Sequence, residues 1–322
     1  MSSKVLSMSK NFAIIGAGGY IAPRHLKAIS DTGNKLVAAL DPNDSVGVLD
    51  RYAFDVSFFT EFERFDRFAE KLRRKGDEHR LHWVSVCSPN YLHDAHVRFA
   101  LRIHANAICE KPLVLEPWNL EALRELEHES GCQVKTVLQL RVHPQLIALR
   151  DRLMAETVGP RHEVDLTYIT ARGLWYQVSW KGQEDRSGGL ATNIGVHFFD
   201  LLVWLFGSVQ AVEVHHSSPE RVCGWLELER AVVRWYLSID PADLSDEIRA
   251  AGKTTFRSIH VDGQEVEFSE GFTDLHAEIY RESLENRGFG LDDAKPAVEL
   301  AHLIRYAAVS RVSEHAHHLA CS

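Results

Sequence analysis

The chain has 322 residues and a net charge of −9, with 45% hydrophobic and 25% charged residues. This composition excludes a mainly disordered or fibrous chain and suggests about two globular domains. It also lacks the overall basic footprint of a nucleic-acid binder, although a cleft can still set a local potential that attracts anions. The five cysteines form no C-x-x-C pair, so neither a zinc ribbon nor a disulfide framework is expected. Free thiols fit a reducing cytosol. The first residues have no apolar run long enough for a signal peptide. Met8 reads as an alternative start, and residues 1–9 are expected to be frayed. The most apolar stretch, Phe198 to Phe206 with Asp200 inside it, is too short to span a bilayer. The expectation is a cytoplasmic protein with no membrane segment.

Strand and helix signals alternate in the first half. Strands are predicted at Asn11–Ile15, Lys35–Leu40, Trp83–Cys87, Ala107–Cys109 and Val134–Gln139. Helices are predicted at Pro23–Ser30, Phe62–Arg74, His93–Leu101 and Pro117–Ser130. This alternation implies right-handed βαβ units and a parallel sheet. Strands of the second half fall at Val164–Thr170, Val222–Glu229, Ala231–Ile239 and Phe256–Val261, with a tight hairpin turn at Val261–Gln264. They suggest a mostly antiparallel open sheet with one face to be covered, so a homodimer or homotetramer is expected. Helices are predicted at about 192–206, 275–286 and 293–314. The expected fold is α/β, with a dinucleotide-binding Rossmann domain over residues 10–133 and an α+β domain over 134–322. The tail His315-Ala-His317-His318 reads as a solvated end or an adventitious metal site.

Between the first predicted strand and helix lies Gly16-Ala-Gly18-Gly19-Tyr20-Ile21-Ala22. Glycines let a backbone turn sharply and approach a pyrophosphate, and the following helix offers free N–H groups. The spacing departs from G-x-G-x-x-G by one residue, and a plain tight turn would look similar. Asp41 ends the second strand, where an acidic side chain accepts hydrogen bonds from ribose hydroxyls and repels a 2′-phosphate. NAD is therefore favoured over NADP, against a reading of Asp41-Pro42 as a turn starter.

Glu110-Lys111-Pro112 follows a strand, at the edge where parallel sheets bind ligands. A lysine there can steady a developing alkoxide; it can also be an ordinary exposed lysine. Gly188-Gly189 precede a helix carrying Asn193, His197 and Asp200. Asn193 and His197 are four apart and share one α-helical face. A histidine so placed suits proton transfer, and a core histidine beneath Phe198 and Phe199 fits the spacing equally.

These motifs together resemble the glucose–fructose oxidoreductase, inositol dehydrogenase and rhizopine-catabolism (Gfo/Idh/MocA) family. The resemblance also rests on Arg24-His25-Leu26 and on Ser88-Pro89-Asn90 with His93. It implies sugar hydroxyl oxidation with NAD(P), with Lys111 and His197 flanking the reacting carbon. It implies cofactor contacts from Gly16, Gly18, Gly19, Tyr20, Ile21, Asp41, Ser88, Pro89, Asn90, His93, Glu110 and Lys111. Many members carry Asp where this chain has Asn193.

Further segments resemble the bacterial branch that oxidises C3 of UDP-N-acetylglucosaminuronate for O-antigen sugars. They include Leu138-Gln139-Leu140-Arg141, Tyr168-Ile-Thr170, Arg172-Gly173, Trp180-Lys181-Gly182, Ala191-Thr192-Asn193 and Phe268 to His276. Asn193 matches this branch. The resemblance implies bound NAD(H) recycled by 2-oxoglutarate, and a substrate site using Gln139, Arg141, Tyr168, Arg172, Lys181, Asn193 and His197. The substrate's diphosphate and carboxylate call for cations, which Arg141, Arg172 and Lys181 could supply or which could be surface charges. Trp175, Tyr176 and Trp180 could stack on uracil or sugar, or pack in a core. A different sugar or inositol dehydrogenase, or a non-catalytic NAD and sugar sensor, are the alternative readings.

Overall fold

The computed structural model describes residues 9–156, 159–268, 274–311 and 315–321. The expected frayed start and alternative Met8, most of the segment from Phe268 to His276, and the end of the last predicted helix lie outside these. The chain divides into two compact units. The first takes the described residues up to 113, then 118–137 and 274–291; the second takes 114–117, those of 138–273, and those from 292 onward. The first unit thus runs a few residues past the expected boundary at 133 and recovers a helical segment from the second half of the chain.

The first unit is built on β1 (Asn11–Ile15), β2 (Lys35–Leu40), β3 (Ser57–Phe59), β4 (Trp83–Val86), β5 (Asn106–Cys109) and β6 (Val134–Thr136). Their order is β3-β2-β1-β4-β5-β6 and every pairing is parallel. The strands are short apolar runs because both faces of the sheet are covered. The order reverses between β1 and β4, the switch point where such sheets bind ligands. Helix Phe62–Arg74 shows why the periodic pattern was readable. Phe65 and Ala69, one turn apart, are buried, and Glu70 pairs outward with Arg73 and Arg74. Helix Leu275–Leu284 packs against helix Ala22–Asp31, and its Tyr280 ring stacks 5.8 Å from Phe12 of β1.

The second unit carries β7 (His162–Thr170), β8 (Val209–Ser217), β9 (Arg221–Leu228), β10 (Ala231–Ser238), β11 (Thr255–Val261) and β12 (Gln264–Glu265). The order is β12-β11-β7-β10-β9-β8, antiparallel except for the parallel pair β7/β10. Asp262 and Gly263 turn the hairpin with φ of 51° and 75°, the left-handed pair a two-residue I′ turn requires. Phe198, Phe199, Leu201, Leu202, Leu205 and Phe206 of helix Val196–Phe206 share one core with Val164, Leu166, Trp235 and Leu237 of the sheet. The helical run Glu184–Phe206 has 23 residues and, unlike the expected shorter stretch, is long and apolar enough to cross a membrane, but 72% of its most apolar 18-residue window is buried in this way.

Several expectations change. β3, β8 and helix Pro144–Ala155 were not predicted: β3 has three residues, and β8 carries His215, His216 and Glu213 where apolar residues would mark a strand. The last long helix ends at Tyr306, not near 314, and Val309 pairs with Val214 instead. The histidine tail is solvated only in part: His315 and His318 are exposed. His317 is fully buried, 2.9 Å from the Thr167 hydroxyl and stacked on Tyr236, while Leu319 and Ala320 pack on Ile169, Tyr236 and Leu244.

Candidate active site

In the first unit, the glycine turn is shaped by close backbone approach. Gly16 donates its N–H to Leu40 O at 2.8 Å with φ of 89°, and a Cβ there would lie 2.6 Å from the Cys87 carbonyl. Only glycine meets both conditions. A Cβ on Gly18 would come 3.2 Å from the Asp41 carboxylate, which accepts from Gly18 N–H and Asn43 N–H at 2.8 Å each. Asp41 is thus drawn over the turn at the end of β2, with lone pairs remaining for further donors. Tyr20 is 90% exposed, and Ile21 is half-buried. This backbone cradle and carboxylate fit a dinucleotide's pyrophosphate and ribose.

Beyond β4 and β5 the expected residues form one buried polar region. Ser88 Oγ meets His96 Nδ1 at 2.8 Å. Both nitrogens of the fully buried His93 face carbonyls: Nε2 is 2.8 Å from Ser88 O and Nδ1 is 2.7 Å from Pro112 O. Burial pulls its pKa down and favours the neutral ring, which donates to one of these carbonyls at a time. Pro89 is half-buried and Asn90 buried. Glu110 is buried, and its Oε1 accepts from His25 Nε2 at 2.8 Å and His276 Nε2 at 3.1 Å. Burial alone would raise its pKa; the two histidine hydrogen bonds outweigh this and hold the carboxyl well below the usual range. Lys111 is half-buried, followed by a cis peptide bond to Pro112.

In the second unit, Ala191–Gly195 forms a π-helical turn that leads into helix Val196–Phe206. Such turns often occur at functional sites. The wider turn means that Asn193 and His197 do not keep the simple α-helical relation their spacing suggested. The Asn193 Nδ2 donates to the Tyr176 hydroxyl at 2.8 Å, and His197 is half-buried. Gly195 lets the turn settle on the sheet, since a Cβ there would meet the Phe199 ring at 2.6 Å and Leu237 at 2.9 Å.

The expected substrate cations divide. Arg141 is buried and grips Asp200 with two hydrogen bonds, of 2.7 and 3.1 Å, and reaches Asp293 at 3.3 Å. Its charge is therefore compensated within the unit. Among the described residues, no carboxylate pairs with Arg172 or Lys181. Arg172 is exposed; Lys181 is half-buried, 4.3 Å over the Trp180 ring. Burial, and then the charge of Arg172, lower the Lys181 pKa. Two neighbouring cations with aromatic flanks suit an anionic ligand. Gln139 lies half-buried in the turn with Arg141, and Tyr168 packs 4.8 Å from Phe198. Trp175 is half-exposed, whereas Tyr176 is buried.

Sequence reasoning gave no role to Ser85, His25, His276 or Tyr280, nor to Tyr176 as the partner of Asn193. His25 and His276 stood inside recognisable segments, but nothing local pairs residues so far apart.

Two family models match the chain: the oxidoreductase family NAD-binding Rossmann fold over residues 10–137, and its C-terminal alpha/beta domain over 156–244. The solved WlbA (WbpB) dehydrogenase of Thermus thermophilus is 53% identical over 96% of this chain and 99% of its own, with a TM-score of 0.92. It has been seen with NAD and alpha-ketoglutarate, and with NAD and UDP-GlcNAcA. Among curated relatives, the D-glucoside 3-dehydrogenase of Escherichia coli is 24% identical over 68% of this chain and 59% of its length. A putative UDP-kanosamine synthase oxidoreductase subunit of Amycolatopsis mediterranei is 30% identical over 51% of this chain and 45% of its own. The chain spans about half the length of these two curated relatives.

Proposed function

The chain belongs to the Gfo/Idh/MocA oxidoreductase family, with an NAD-binding Rossmann domain, and from that premise we propose that it oxidises the C3 hydroxyl of UDP-N-acetylglucosaminuronate to the 3-keto sugar. The observation that carries this reading is the full-length likeness to the Thermus thermophilus dehydrogenase seen with NAD and UDP-GlcNAcA. The unpaired neighbours Arg172 and Lys181 support it, because the substrate brings a diphosphate and a carboxylate.

In this reading the tight turn of Gly16, Gly18 and Gly19, whose own N–H groups are used within the turn, would let the pyrophosphate of NAD approach the helix N-terminus at Tyr20 and Ile21, and Asp41 would hold the adenine ribose. NAD, when bound, accepts the hydride from C3. His197 removes the proton of the 3-hydroxyl, and the Lys111 ammonium steadies the developing oxyanion. Asn193, fixed by Tyr176, orients the sugar. The 2-oxoglutarate seen in the Thermus relative suggests the oxidant that recycles NADH here. A cytoplasmic homodimer or homotetramer completes the reading, supported by the free thiols of Cys87, Cys109, Cys132 and Cys223 and by the open second sheet.

The test follows absorbance at 340 nm as the purified protein meets UDP-N-acetylglucosaminuronate, UDP-GlcNAc, glucose and inositol. The uronate should give the highest kcat/KM; faster turnover of glucose or inositol overturns the substrate. His197→Asn should lower kcat by about 10²–10⁴. Lys111→Met should be similarly damaging, and an unchanged turnover number would remove either residue from its role.

A further inference from the structure

We infer that His25, His276 and Tyr280 are positioning residues that act through Glu110, and with His93 brace the backbone on both sides of Lys111. This rests on the reading of Lys111 as a group at the reacting carbon. A carboxylate only accepts, so the two histidine nitrogens that approach Glu110 Oε1 must each carry a proton. Burial lowers the His25 pKa and keeps its ring neutral, so His25 Nδ1 is then an acceptor. It lies 2.8 Å from the Tyr280 hydroxyl, which must donate to it. The Tyr280 oxygen in turn lies 2.6 Å from Ser85 Oγ and accepts from it. A single proton arrangement therefore satisfies the chain Ser85–Tyr280–His25–Glu110–His276. Each member is buried.

The members come from four elements of the first unit. Ser85 lies in β4, Glu110 directly follows β5, His25 is in helix Ala22–Asp31, and His276 and Tyr280 are one turn apart in helix Leu275–Leu284. On one side of Lys111, the fixed Glu110 carboxylate accepts the Lys111 N–H at 3.3 Å. On the other side, the His93 ring sits between the Pro112 and Ser88 carbonyls, 2.7 and 2.8 Å away, and donates to one of them. The helix that carries His25 starts at Ala22, directly after the glycine turn. A buried carboxylate held by two imidazoles costs desolvation that an apolar residue would avoid. What it gives in return is a fixed direction, and a displacement of about 1 Å at a reacting group can cost about 10²-fold in rate.

The experiment compares His276→Leu, His276→Gln and Tyr280→Phe in the full chain. Leu removes a donor to Glu110, Gln keeps an N–H there, and Phe removes one hydroxyl while keeping the ring on Phe12. For His276→Leu, kcat at saturating uronate should fall about 10–100-fold while the Kd for NAD, read by fluorescence quenching, stays within about threefold. His276→Gln should restore most of kcat, and Tyr280→Phe should show a smaller loss of the same kind. A folded His276→Leu or Tyr280→Phe protein with wild-type kcat overturns the inference. So does a loss that Gln fails to restore, or one matched by an equal loss of NAD affinity. Lys111→Met separates the two levels. If it turns over normally, the reading of Lys111 itself fails; if it collapses while the other variants do not, only the brace is wrong.

Discussion

Each unit buries one carboxylate close to a candidate catalytic residue, and each solves the cost differently. Glu110 in the first unit is held by two imidazole N–H groups, and its carboxyl stays well below the usual range. Asp200 in the second, three residues after His197, is gripped by the Arg141 guanidinium. Burial nevertheless pushes the Asp200 carboxyl up to about 6, against the pull of Arg141. Imidazole partners leave no cation behind when the carboxylate is removed, whereas a guanidinium cannot give up its charge. The first arrangement therefore favours direction, and the second ties backbone segments together through charge.

The largest test of that contrast is Asp200→Ala. It takes the paired carboxylate away from the buried Arg141, and should cost about 3–5 kcal/mol in urea unfolding. Glu110→Gln should cost clearly less, because no buried cation is orphaned. Equal losses would break the comparison.

Acid probes both units through buried histidines, with His96 among those of the first and His317 in the second. Burial lowers His96 in the first unit to about 4, with the charge of His93 adding to it, and lowers His317 in the second to about 4, with His318 adding. A histidine depressed on folding contributes stability above its unfolded value of 6.5, and that contribution is lost as pH falls toward 4. Each ring should therefore cost about 2–3 kcal/mol between pH 7 and 4.5. His96→Gln and His317→Gln should each flatten the pH dependence of urea unfolding. If neither does, the two rings are not among the acid-sensitive points of their units.

The smallest effect concerns Asn193. Tyr176→Phe removes one neutral acceptor, about 1 kcal/mol. It should raise KM for the uronate about fivefold and change kcat little, as initial rates would show. A fall in kcat with unchanged KM would place Tyr176 in the chemical step instead.

The parallel sheet was legible because apolar strands and periodic helices alternate, as Asn11–Ile15, Lys35–Leu40 and Phe62–Arg74 show. The α/β fold class and the NAD-binding turn followed from that register. What stayed hidden was set by tertiary contact. The 3.6-residue period placed Asn193 and His197 on one face, but packing of Gly195 against Phe199 and Leu237 accommodates a π turn. Arg141 read as a substrate cation or a surface charge, because its partner Asp200 lies 59 residues away. His317 read as a loose tail, because the Thr167 and Tyr236 that bury it belong to distant strands.

The helix Leu275–Leu284 has a consequence for synthesis. His276 follows Glu110 by 166 residues yet completes the same buried cluster. On a ribosome adding about 5–20 residues per second, Ser85 and Glu110 wait roughly 8–40 s for their partners to be synthesised. The nascent N-terminal half therefore lacks the helix that completes its buried cluster until late in synthesis. A fragment truncated after Val137 would carry a polar hole in its interior where His276 and Tyr280 belong.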